Sequence, residues 1–93
     1  MPSFVVETFV PTEGRERFAR SVEDLRAASD RSRDRIGVRH VRSFLVPDDE
    51  MGFHVLEART VTDVTRVTDA AGIEVERVVE VVTVDVPSKE GTR

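Results

Sequence analysis

The 93-residue sequence contains no cysteine, no tyrosine and no tryptophan. Without cysteine there are no disulfides, no thiolate metal sites and no cysteine nucleophile. Without tyrosine or tryptophan, cofactor stacking and radical chemistry lose their usual side chains. There is one lysine against thirteen arginines, and only two histidines. The arginine excess reads as the composition of a GC-rich bacterial genome. No apolar run approaches the roughly 18 residues of a spanning helix, and no basic-then-apolar leader opens the chain. The expectation is a cytoplasmic protein that does not engage a membrane. No nucleophile elbow, phosphate-binding loop or dinucleotide fingerprint occurs.

What is present fits one ordinary globular domain: 39% hydrophobic and 34% charged residues, with a net charge of −4. A net acidic chain lacks the basic footprint that phosphate backbones require, so nucleic acid is not the expected partner. A domain this short buries only part of its surface, which favours a partner subunit. The domain is expected over residues 1–86, with 87–93 as a polar tail.

S-F-V-V-E-T-F-V, Ser3 to Val10, reads as a strand ended by Pro11. Thr12 is placed to cap a following helix, with Glu13 and Glu16 in its first turn. Phe18, Val22, Leu25 and Ala28 or Ser29 make one apolar stripe over about 20 residues, and Gly37 stops the segment. G-V-R-H-V-R-S-F-L-V is a second strand, P-D-D-E-M-G a turn, and F-H-V-L-E-A-R a third strand, together a hairpin. The segment from Val61 to Gly72 is rich in β-branched residues, yet its valines recur every three residues. Period outweighs propensity, so a helix capped by Thr60 or Thr62 and stopped by Gly72 is predicted. Glu74 to Val86 is the last strand. The order β-α-β-β-α-β is the ferredoxin-like α+β arrangement: a four-stranded antiparallel sheet with two helices on one face.

Alternation along the strands then sorts residues onto two faces. With the hairpin centred on Asp49 and Glu50, Val41, Ser43, Leu45, His54 and Leu56 lie under the helices with Phe4, Val6, Val79 and Val81. The bare face takes Glu7, His40, Arg42, Phe44 and Glu57, joined by Val78 and Glu80. A bulge would exchange faces in part of the sheet. Glu7, His40 and Glu57 are the candidate metal ligands, since imidazole and carboxylate suit nickel, zinc, manganese or iron. Arg42 and Phe44 are candidate ligand-binding residues. The alternative is a plain Arg42–Glu57 cross-strand ion pair. His54, in an apolar row, is expected to be a hydrogen-bonded core residue. The acidic tip at Asp48 to Glu50 and the run R-S-R-D-R at Arg31 to Arg35 read as solvated charge.

M-P-S-F-V-V-E, G-V-R-H-V-R-S-F-L-V, F-H-V-L-E-A and A-A-G-I-E-V-E-R-V-V-E-V, in this order and spacing, resemble the DUF4242 family of small bacterial proteins. The resemblance spans about residues 2–82 and includes Glu7, Gly37, Val38, Ser43, Glu57 and Ala58. The chain departs from the family pattern at His40, Phe44, His54 and Glu74, where Trp, Tyr, Cys and Pro are usual. The family includes an actinobacterial nickel-binding protein, so the resemblance implies a ferredoxin-like fold, a homodimer and bound nickel. Three functions follow as expectations: a metal- or small-ligand-binding dimer, a small enzyme of the dimeric α+β-barrel type, or a structural or regulatory dimer without ligand. In each, two copies pair through the open sheet face.

Overall fold

A computed structural model describes residues 1–84. The elements are β1 (Ser3–Phe9), α1 (Arg15–Ser32), β2 (Arg39–Val46), β3 (Met51–Glu57), α2 (Val61–Ala70) and β4 (Arg77–Val81). The four strands form one antiparallel sheet in the order β2-β3-β1-β4, which is the predicted ferredoxin-like α+β fold. The last strand is shorter than expected, and its predicted end at 85–86, like the tail at 87–93, lies outside the described residues. Among the described residues, no helix is long and apolar enough to cross a membrane.

β1 alternates between buried Phe4, Val6 and Thr8 and half-exposed Val5 and Glu7. Its buried row and Leu56 of β3 meet Leu25 and Ala28 of α1 and Val64 and Val67 of α2, forming the core. Each such fully buried aliphatic side chain contributes about 1.5–3 kcal/mol. The period argument for α2 holds. Val64, Val67 and Thr68 face inward, and the Thr60 hydroxyl accepts the Asp63 backbone N–H at 3.1 Å.

The entry to α1 differs from expectation. Thr12 lies in a short 3-10 turn, Thr12–Gly14, and caps no helix. Its backbone N–H donates instead to the Glu50 carboxylate at the hairpin tip, at 3.2 Å. Glu50 has a left-handed backbone (φ 53°), held by its N–H donating to the Pro47 carbonyl at 3.0 Å. The tip is therefore tied to the start of the helical layer through Glu50, while Asp48 and Asp49 remain exposed. At the other end of α1, the Ser32 carbonyl accepts from Arg35, Ile36 and Gly37, and Gly37 takes the left-handed conformation (φ 68°) that ends the segment.

Gly52 lies inside β3 rather than in the turn. A Cβ there would overlap the Phe18 ring and crowd Val10. The missing side chain lets α1 lay Phe18 flat on the sheet. Gly52→Ala is expected to cost about 1–3 kcal/mol in urea denaturation, as overpacking does. Shortening the ring alongside, with Phe18→Leu, should recover part of that loss. An unchanged midpoint for Gly52→Ala would contradict the close approach.

Candidate functional site

The histidines meet because β2 carries one residue too many. His40 stands opposite Leu56, but Arg42 stands opposite Val55, so Val41 is a bulge. The bulge reverses the alternation for the start of the strand. His40 therefore turns under the helices, onto the side of His54, and not onto the bare face as alternation alone predicts. Ser43 faces His54 directly in the register, and its hydroxyl lies between the two rings. Ser43 Oγ is 2.8 Å from His40 Nε2 and 2.7 Å from His54 Nδ1. His54 is stacked on Phe18 with ring centroids 5.1 Å apart, and meets His40 edge-on at 6.1 Å.

His54 is fully buried and His40 is 6% exposed. Burial, then the neighbouring His40, pushes the His54 pKa down to about 4. His40 is also lowered, first by burial and second by the Arg26 guanidinium. The Arg42 backbone and the Asp30 carboxylate act in the opposite sense. With both rings neutral, one hydroxyl proton serves two imidazoles. Ser43 donates to one ring and accepts from the other, which leaves His40 Nδ1 and His54 Nε2 without partners. One of these two atoms carries a proton. An N–H sealed in an apolar pocket without an acceptor is rare and costly, and His54 Nε2 lies in such a pocket. The favoured arrangement has His54 Nδ1–H donating to Ser43 and Ser43 donating to His40 Nε2. The spare N–H is then on His40 Nδ1.

His40 is part of the wall of a cleft of about 250 Å³ between the second half of α1 and the start of β2. Arg26 and Asp30 contribute from the helix, and Arg33 from just beyond its end. Val38, Arg39 and Val41 flank His40 on the strand side.

The other predicted site residues lie on the opposite, open face. Glu7 accepts from Arg77 Nε at 3.2 Å, and Glu57 from Arg39 at 3.0 Å. The ion pair of Glu57 is thus with Arg39 and not with Arg42: the hairpin register sets Arg42 opposite Val55, and the bulge brings Arg39 opposite Glu57. Arg42 is exposed, and Phe44 is stacked on Phe53 at 5.1 Å. The hairpin centre also differs: Phe44 pairs with Phe53 rather than Val55, a shift of two residues that keeps the face. In β4 the faces are exchanged. Val78 packs on the core, while Val79 pairs with Val5 on the open side.

The expected metal set does not assemble. Glu57 is opposite Ser3, and Glu7 is four residues further along β1, about 13 Å away at strand rise. His40 is on the far side of the sheet. Among the described residues, no group of three histidine, cysteine, aspartate or glutamate side chains could hold an ion. Residues missed in the sequence are Ser43, Phe18 and Arg26. The alternation that places Ser43 beside His54 was readable; the bulge that adds His40 was not.

No family model matches the chain, and no curated protein does. Among solved structures it is similar to SCO4226 from Streptomyces coelicolor A3(2). The TM-score is 0.73 at 14% identity, covering 89% of this chain and 99% of that one. At that identity the likeness shows the fold, a small ferredoxin-like domain over nearly its whole length.

The buried imidazole makes stability depend on pH. The folded pKa of His54 lies below its ordinary value, so the unfolded chain binds the proton more readily. Its contribution is fully present above pH 6.5 and is lost as pH falls toward 4, by about 3 kcal/mol in all. His54→Phe keeps the stack on Phe18 and removes the titration. Urea denaturation from pH 7 to 4 should show a shallower fall for this variant than for wild type. Parallel curves would contradict the assignment.

Proposed function

We propose that this chain is a binding protein for a small, non-metallic ligand and works as a homodimer joined through the open face of its sheet. The observation that carries the ligand reading is the α1–β2 cleft. One of its walls contains a buried histidine whose Nδ1 has no hydrogen bond of good geometry, although the Arg42 backbone lies close enough to the ring to raise its pKa. Buried polar atoms are normally paired, and unpaired ones mark sites where something else supplies the partner.

The dimer rests on the other face. Phe9 and Phe44 are 55% and 45% exposed there, beside Phe53, Val55, Val5 and Val79. An apolar surface of this kind marks an interaction site. A second copy is the occupant that suits it. The two glutamates of the face are already held by Arg39 and Arg77 in the same subunit. Two copies can therefore bring their apolar rows together with Arg42 as the one unpaired charge each contributes to the face among the described residues.

Nickel, implied by the DUF4242 resemblance, has no ligand set in these residues. To chelate a metal, Glu7 and Glu57 would have to leave their arginines. Acid–base chemistry of the dimeric-barrel kind would fall to the two histidines, and burial disfavours the charged form of both.

Two measurements test the reading. Light scattering after size exclusion should give a dimer, and Phe44→Asp should give a folded monomer. A monomeric wild type at millimolar concentration would overturn the dimer. Isothermal titration with nickel and with zinc should show no stoichiometric binding. One ion per subunit or per dimer would overturn the non-metallic ligand.

A further inference from the structure

Resting on the small-ligand reading, we infer that the α1–β2 cleft binds a small oxyanion, a carboxylate or phosphoryl group, gripped by the guanidiniums of Arg26 and Arg33 against a wall that includes His40. The charges of the cleft favour this. Arg26, Arg33 and Arg39 line it against a single carboxylate, Asp30. Arg39 is engaged by Glu57, but among the described residues neither Arg26 nor Arg33 has an ion-pair partner. Two uncommitted guanidiniums against one carboxylate leave an excess of positive charge, and guanidinium matches the geometry of both carboxylate and phosphate.

His40 adds direction to that charge. Its Nε2 is committed to Ser43, and Nδ1 is buried behind the cleft wall, so the ring is held in one orientation there. The chain from His54 through Ser43 sets Nδ1 as a donor, since the alternative leaves an N–H in the apolar pocket against Phe18. A neutral imidazole in the wall with cationic guanidiniums beside it favours an occupant of negative charge and repels metal cations. The volume of about 250 Å³ is below the usual range of about 300–1,000 Å³ for drug-sized ligands, so the occupant is an ion or a small metabolite.

The probes are sodium phosphate and sodium acetate, each added to the full chain at constant ionic strength set with sodium chloride, and followed by amide and imidazole NMR. Saturable shifts at Val38 to Val41 and at the His40 ring are expected with one or both. Phosphate alone marks a phosphoryl ligand, acetate alone a carboxylate, and both mark a site open to either. The double variant Arg26→Gln/Arg33→Gln, altered only at exposed positions, should weaken binding by about tenfold or more. Its spectrum elsewhere reports that it is folded. Non-saturable shifts spread over the surface would overturn the oxyanion site. A neutral fragment mixture is the control. If it moves the same amides while neither anion does, the ligand class is wrong and the small-ligand reading stands. If no probe moves them, both are wrong.

Discussion

One extra residue in β2, Val41, decides which side of the sheet the chemistry is on. Without it His40 would point to the open face, beside Glu7 and Glu57, and His54 would sit alone in the core. With it, two imidazoles and one hydroxyl are drawn together beneath α1. The same bulge hands Glu57 to Arg39. A single local insertion thus separates the molecule into two surfaces: a polar pocket under the helix and an apolar face turned outward.

The pocket is stabilised from below by shape and from within by hydrogen bonds. Gly52 gives Phe18 room to lie against the sheet, and Phe18 covers His54. Burial keeps the covered ring neutral down to about pH 4, so at neutral pH it serves as a fixed partner for Ser43. Ser43 in turn fixes His40. Unsatisfied nitrogens in such a network carry a cost comparable to a lost hydrogen bond. Retaining one at the edge of a cleft is consistent with a site that a bound group completes.

Much of the fold was legible in the sequence, because its signals were local. The spacing of Val64 and Val67 outweighed their β propensity. Thr60, Gly37 and Gly72 marked helix ends through chemistry that depends on a few neighbours. The hairpin register differs from expectation by two residues, which keeps the faces because the side-chain period is also two, but removes Arg42 from Glu57. The site was less legible. Nothing in R-H-V-R says which residue is the bulge, since a regular strand would carry the same letters. β4 reads R-V-V-E-V, so either parity offers valine to the core, and only pairing with β1 decides it. Thr12 had the right chemistry for a cap but was claimed by Glu50, a contact 38 residues away in the chain. His54 was readable as a hydrogen-bonded core residue; its partners were not.

The central claim is that His40, Ser43 and His54 form one neutral, ordered chain with the spare N–H on His40 Nδ1. Long-range proton–nitrogen correlation spectra of the two imidazoles, from neutral pH down to about 4, test it most directly. Both rings should be protonated at Nδ1 at neutral pH, and His54 should stay neutral until close to pH 4. A His54 ring that titrates near its ordinary value of about 6.5, or that carries its proton on Nε2, would contradict the account.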